Sequence, residues 1–261
     1  MLSGFYTAAS GMLVQQRTLN VLTNNIANVK TPGYRAERVV STTFEHELMT
    51  RIEKGNTEVI GSGDPIRIVN DVPVNFEMSS LEDTGRPYDF GLVGEGFFNI
   101  QTAPEVDENG DEVGEGRILL TRKGNFDVDD EGFLILPGVG RVLGRRGEIE
   151  LKDANFTVNK EGEILNERGR VIDEIMITKP NEDVQLEKIE NGLYAVNDPE
   201  EDMYRVYDTA VHQGKLEQSN IDINREYTLV MEAQRAFQSC SQAIKIVDSM
   251  NQKAATQIAS L

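Results

Sequence analysis

Apolar residues recur at a three–four spacing at both ends of the chain and lose that rhythm in between. Near the C-terminus the periodic positions hold Glu226, Leu229, Ala233, Ala236, Cys240, Ala243, Val247, Met250, Ala254, Gln257 and Leu261. All but Glu226 and Gln257 are apolar, which is the pattern of a coiled-coil seam. Neither glycine nor proline interrupts Lys215 to Leu261. The spacing therefore predicts one helix of about 38 residues, about 57 Å long, with Ser219 and Asp222 as a capping box at its start. Ala8, Met12, Gln15, Leu19, Leu22 and Ile26 carry the same rhythm at the N-terminus. This second helix should end near Asn28. Thr31-Pro32-Gly33-Tyr34 then reads as a type II turn, with proline at its second place and glycine accepting the positive φ of its third.

The middle follows another period. Glycine, aspartate and asparagine punctuate short β-rich runs at Phe97 to Gln101, Arg117 to Thr121, Phe133 to Leu136 and Ile172 to Thr178. An imperfect repeat lies among them: Asn125-Phe126-x-Val128-x-x-Glu131-Gly132 returns as Asn155-Phe156-x-Val158-x-x-Glu161-Gly162. Each copy reads as strand, tight turn, strand. The fold class expected is α+β, with N- and C-terminal helices pairing as a coiled coil beside a central all-β domain. Residues 1–35 with 215–261 form the discontinuous helical core, 75–195 the β-rich domain and 196–214 a return linker. Residues 36–74 are a variable linker, in which Phe44, Leu48 and Ile52 suggest a short helix and Gly61-Ser62-Gly63 a loop.

Charge narrows the function. The chain has 261 residues, with 26 basic groups against 44 acidic ones and a formal net charge of -18. The excess sits in residues 61–214, which hold 15 basic and 34 acidic groups, while both ends are nearly neutral. Phosphate contact needs a basic face, so nucleic acid is excluded as a partner. The neutral ends are free to pack against other chains. No apolar run approaches the length of a bilayer span, so no direct membrane insertion is expected. The N-terminus has neither the basic start nor the apolar stretch of a cleaved signal peptide.

Catalytic and metal chemistry find little support. Asp127-x-Asp129-x-Glu131-Gly132 resembles the first half of a calcium loop, but Gly138 stands where a bidentate glutamate is needed. Asp107, Asn109 and Asp111 share the spacing and read as a loop tip. Gly91, Gly94, Gly96, Gly138, Gly140 and Gly144 lack the dinucleotide and phosphate-loop spacings and read as turn glycines. Asn155-Phe156-Thr157 matches a glycosylation sequon and reads as a strand end. His46, His212 and the single Cys240 make neither a typical zinc site nor a visible triad. No enzyme activity, metal or cofactor is expected. Asn24, Asn25 and Asn28 are unusual so close together on a helix. They read either as caps of a fraying end or as a buried amide network that fixes helix register between subunits.

Asn24 to Arg35, NNIANVKTPGYR, is similar to the N-terminal signature of the bacterial flagellar rod and hook proteins. Gly214 to Phe237 resembles that family's C-terminal segment, with Leu216-Glu217-x-Ser219-Asn220 at its entry and Glu232-Ala233-Gln234-Arg235-Ala236-Phe237 at its core. Gly94-Glu95-Gly96-Phe97-Phe98 and Thr121-Arg122-Lys123-Gly124-Asn125-Phe126 look like strands of its β domain. The likeness thus spans nearly the whole chain, and its length favours a rod protein over the longer hook proteins. The resemblance implies terminal helices paired in an axial core, and a structural role in the basal body. It also implies export through the flagellar type III apparatus without a cleaved signal. The partners implied are further copies of the chain and neighbouring rod and hook proteins. The assembly interface implied comprises Asn24, Asn25, Asn28, Thr31, Pro32, Gly33 and Tyr34 at one end. At the other it comprises Leu229, Ala233, Gln234, Arg235, Ala236, Phe237, Cys240 and Val247. A two-helix coil leaves apolar surface uncovered, so the ends are expected to order fully only on assembly. A hook or junction protein, an acidic β-domain binding module on a coiled-coil stalk, and a hydrolase housed in the β domain are the rival readings.

Overall fold

The computed structural model describes residues 2–259 apart from 44–47, 54–55, 63–66, 104, 107–111, 114–115, 152–154, 182–183, 185, 191 and 197–201. Phe44, His46, Gly63, Asp107, Asn109 and Asp111 lie outside the described residues. The chain divides into two compact units. One comprises Met1–Ala27, Ala36–Asn75 and Ile221–Leu261; the other comprises Asn28–Arg35 and Phe76–Asn220.

The first unit is built on the two predicted helices, α1 (Leu2–Ala27) and α2 (Ile223–Ala259), which pack together. The start of α2 differs from the expected capping box. Asp222 is the cap, its Oδ1 accepting the amides of Asn224 at 2.9 Å and Arg225 at 3.3 Å. Those are the N2 and N3 amides, within reach of a side chain directly preceding the helix. Ser219 lies too far upstream and instead gives its carbonyl to the Ser79 hydroxyl. The segment after residue 36 forms antiparallel pairs, Val40–Thr43 with Arg67–Asp71 and Leu48–Glu53 with Asn56–Ser62. A strand therefore stands where the Leu48 and Ile52 spacing suggested a helix, and Gly61 and Ser62 lie in its partner strand. The strand Arg67–Asp71 also packs on α1.

The second unit is antiparallel β throughout its described strands. Phe97–Thr102 lies at the centre of its largest sheet. It is flanked by Ile118–Thr121 on one side and by Gly140–Gly144 and Ile177–Pro180 on the other. The sheet extends through Leu134–Leu136 to Asp127–Val128, and through Leu193–Ala195 to Glu187–Glu190. The predicted run Ile172 to Thr178 resolves into two strands, Val171–Glu174 and Ile177–Pro180.

Both copies of the repeat form the strand–turn–strand expected, and both turns use the same bonds. Asp129 Oδ1 accepts the amides of Glu131 and Phe133 at 3.0 and 2.7 Å. Asn159 Oδ1 accepts those of Glu161 and Glu163 at 3.1 and 2.9 Å. These are Asx turns, in which a short acceptor side chain substitutes for backbone. The equivalent phenylalanines, Phe126 and Phe156, both enter the core and lie 5.9 and 6.4 Å from the Phe90 ring centre. Leu92, Phe98, Ile100, Leu134 and Ile164 fill the space around them. In the stretch that resembled a calcium loop, Asp129 and Glu131 are tied to Arg141.

Candidate assembly surface

In the first unit, α1 and α2 run antiparallel. Asn25 meets Glu226, and a Cβ on Gly11 would lie 3.3 Å from Cys240 Sγ. Both pairs fit one register, which runs out with Leu2 opposite Ser249. The stretch from Met250 to Ala259 thus continues past the start of α1, a distance of about 15 Å. Small residues permit this approach: Ala233 is buried, and Ala236, Cys240 and Val247 are half-buried along the same helix.

The α1–α2 pairing covers only part of the apolar surface. Phe5, Tyr6 and Leu13 on α1 are exposed, Leu13 by 62%. Tyr227, Met231, Ile246 and Met250 on α2 are exposed as well. A groove of about 480 Å³ lies between α1 and the strand Arg67–Asp71, with Leu13, Val14 and Ile68 in its wall. Another of about 360 Å³ is lined by Leu22, Arg38, Leu229, Glu232, Ala233 and Ala236 among others. Of the expected interface residues on α2, Gln234 and Arg235 are exposed, while Leu229 and Phe237 are half-buried.

The asparagines separate. Asn24 is exposed on α1. Asn25 is completely buried. Its Oδ1 accepts the Glu37 amide at 3.1 Å, and its Nδ2 donates to the Glu37 carbonyl at 2.9 Å and to Glu226 Oε2 at 3.4 Å. Arg38 brings a guanidinium nitrogen to 2.6 Å from the other Glu226 oxygen, Oε1. Glu226, the one charged position of the seam, is thereby both buried and paired. The Asn25 amide is thus engaged within the chain.

Asn28 begins the loop of the second unit: its carbonyl and Oδ1 accept from the backbone and hydroxyl of Thr31. The turn at Thr31–Tyr34 is closed by Tyr34 N–H donating to the Thr31 carbonyl at 3.3 Å, with Gly33 at φ 67°. Pro32 is half-buried and Tyr34 fully buried. The turn presses against the backbone of Arg122, where a Cβ on Gly33 would come within 2.4 Å of the carbonyl carbon and oxygen.

The next residue carries a feature that the sequence did not announce. Arg35 lies 2.5 Å from Glu217 Oε1, with both side chains fully buried. Arg122 approaches Glu217 Oε2 at 3.4 Å and donates to the Gly94 carbonyl at 2.7 Å. The amide of Ser79 also reaches Glu217 Oε1, and the Glu217 carbonyl accepts Gly33 N–H at 2.8 Å. Burial pushes the Arg122 guanidinium below its usual value, and the Glu217 charge opposes that shift. One carboxylate thus joins the end of NNIANVKTPGYR, the Leu-Glu-x-Ser-Asn entry and the Thr-Arg-Lys-Gly strand end. Glu37, Arg35, Arg122, Glu217 and Glu226 were not expected as site residues. The one available signal was Glu226, an acid on an apolar seam, which burial obliges to find a partner.

These stretches coincide with the regions recognised in known proteins. Residues 5–35 match the family described as flagella basal body rod protein, and residues 212–258 match the C-terminal region of flagellar basal body rod FlgEFG proteins. The flagellar basal-body rod protein FlgG of Bacillus subtilis is 31% identical over 281 residues, covering 97% of this chain and 98% of the relative. The flagellar hook-basal body complex protein FlhO of the same organism is 29% identical, covering 99% of each. The flagellar basal-body rod protein FlgF of Caulobacter vibrioides is 28% identical, covering 98% of each. With end-to-end identity at that level and both terminal signatures in place, the chain belongs to the flagellar basal-body rod protein family, whose members are structural and not enzymatic.

Proposed function

We propose that copies of this chain stack through their helical units into an open helical tube that transmits torque from the flagellar motor to the hook. The observation that carries this reading is the row of exposed apolar side chains on α1 and α2, continued by the length of α2 that outruns α1. Exposed apolar surface of this kind marks a contact with another protein, and repeated head-to-tail contacts that do not close into a ring give a filament. Leu229, Gln234, Arg235, Ala236, Phe237, Cys240 and Val247 belong to that contact layer in this reading, while Ala233 is buried within the chain. Asn24, Thr31 and Pro32 belong to it too, whereas Asn28, Gly33 and Tyr34 are buried within the chain. The chain passes between its two units four times, so four backbone connections, not a single linker, share a shearing load. Its partners are further copies and the adjoining rod and hook proteins, and it reaches them through the flagellar type III exporter.

Electron microscopy of basal bodies from a strain lacking this gene tests the role. A truncated rod without a hook is expected, and the break point gives the position along the rod. An intact rod with no hook would reassign the chain to the hook or its junction. Intact flagella with normal swimming would overturn the proposal.

A further inference from the structure

We propose that Asn25, Glu37, Arg38 and Glu226 form a register lock that selects one of several otherwise equivalent pairings of α1 with α2. The seam of α2 does not by itself fix a register. Its apolar positions repeat every seven residues, and many are small. Sliding one helix by seven residues returns apolar side chains to apolar neighbours, so packing alone discriminates poorly between registers. A single buried polar group at such a seam is the feature that discriminates. Glu226 is that group: it is fully buried, with Asn25 on one carboxylate oxygen and Arg38 on the other.

Two further bonds fix the position of its partner. Asn25 exchanges both of its amide functions with the backbone of Glu37. The side chain thereby behaves as a strand residue pairing with Glu37, and it cannot follow α1 in a slide without breaking that pair. A seven-residue slide in one direction would set Ala233 against Asn25 and carry Glu226 beyond the end of α1. A slide the other way would set Glu226 against Thr18. Either leaves a carboxylate without its amide and guanidinium, a state a buried charge strongly disfavours.

The consequence concerns the surface offered to another molecule. The register sets how far α2 extends past α1, and a seven-residue slide changes that by about 10 Å. That consequence rests on the polymer reading above. The lock itself does not, and its test uses only the isolated chain.

The single native cysteine supplies the probe. Gly11→Cys would place a second sulfur beside Cys240, since the Gly11 Cβ position lies 3.3 Å from Cys240 Sγ. Gly4→Cys and Thr18→Cys, each made separately, would meet Cys240 only after a slide of seven residues in either direction. Intrachain disulfide yield after mild oxidation is read by mass spectrometry in the full-length chain. With the network intact, the Gly11→Cys yield should exceed both others by about tenfold or more. Adding Glu226→Leu should bring one of the slipped yields to within about threefold of it, with helical circular dichroism retained. Adding Glu226→Gln, which can still accept from Asn25, should keep the native preference. An unchanged preference in Glu226→Leu overturns the inference. So does loss of the helical signal in that variant, because Glu226 would then be a stability element and not a selector.

Discussion

Replacing Gly33 with alanine joins two costs that a second glycine can separate. Gly33 sits at φ 67°, where a residue with a Cβ is disfavoured by about 1–2 kcal/mol. Its Cβ would also lie 2.4 Å from the carbonyl carbon and oxygen of Arg122 and 2.6 Å from the Lys123 nitrogen. Those are backbone atoms, so no rotamer change relieves the clash. The turn must retreat by about 1 Å, and forced repacking of that kind costs about 1–3 kcal/mol. The retreat also lengthens the 2.8 Å bond from Gly33 N–H to the Glu217 carbonyl, which contributes about 1 kcal/mol. The expected loss is about 3–6 kcal/mol. Gly85 is the control: its φ is 68°, and nothing lies within 4 Å of its Cβ position. Gly85→Ala should cost only the backbone share, about 1–2 kcal/mol. Urea unfolding read by tyrosine fluorescence suits the comparison. The chain has no tryptophan, and Tyr34, Tyr88, Tyr194, Tyr204 and Tyr207 all lie in the β unit. With a slope of about 2 kcal/mol/M, Gly33→Ala should bring the midpoint about 1 M or more below that of Gly85→Ala. Equal midpoints would refute the close-contact reasoning.

Glu217→Leu should lower the melting temperature of the β unit by about 10 °C, since it leaves Arg35 and Arg122 buried without their carboxylate at a cost of about 3–5 kcal/mol. A melt within 2–3 °C of the parent would show that the guanidinium groups find other partners. Asn159→Ala removes two amide bonds from the second repeat and should cost about 1–2 kcal/mol by denaturant midpoint. Its counterpart Asp129 titrates. Burial acts to raise its carboxyl but is outweighed by the amides of Phe133 and Glu131 and by Arg141, which hold it below the usual carboxylate range. A lowered folded value means that its stabilisation is complete above the ordinary aspartate value near 4 and fades as pH falls through the folded value. Asp129→Asn should therefore reduce the drop in melting temperature between pH 6 and pH 2. Hydrogen exchange along α2 should be slowest between Glu226 and Cys240, opposite α1, and fastest from Met250 onward; uniform exchange along the helix would contradict the register described.

The parts of this fold that were legible in the sequence are those whose signal is local. Ten of the eleven seam positions, Glu226 to Gln257, fall in α2, Leu261 lying outside the described residues, and the repeated Asx-Phe-Val-Gly spacing marks two hairpins because turn, strand and core phenylalanine all fall within a few residues. The segment after residue 36 shows where local signal fails. Leu48 and Ile52 stand four apart, and an interval of four places two residues on one face of a helix and also on one face of a strand. Pairing with Asn56–Ser62 decides between the two, and that information is held by the partner strand. The buried charges were illegible for a related reason. Arg35 and Glu217 each look like ordinary surface residues, and the contact that makes them interior joins positions 182 apart. Asn25 was legible as unusual, but its two readings, cap or network, differ only in what lies opposite it.

That distance in sequence has a consequence for how the chain closes. Asn25 finds Glu226 across 201 positions, and Arg35 finds Glu217 across 182. Closing a loop of that size costs about 5 kcal/mol in its length-dependent part alone, comparable with the cost of breaking one buried ion pair. Neither contact can form early by itself. Glu217 closes together with its neighbours: its carbonyl takes Gly33 N–H, its carboxylate takes Ser79 N–H, and its strand Lys215–Glu217 pairs with Leu81–Asp83. A chain that stops before Lys215 holds two guanidinium groups in search of a carboxylate, and its β unit lacks a strand. It should stay open until the C-terminal stretch arrives, which suits a subunit proposed to pass through an export apparatus. The signatures at the two ends of the sequence are therefore halves of closing contacts, one in each unit. That accounts for the presence of Asn25 and Arg35 in one signature, and of Glu217 and Glu226 in the other, as much as any surface they offer to a neighbour.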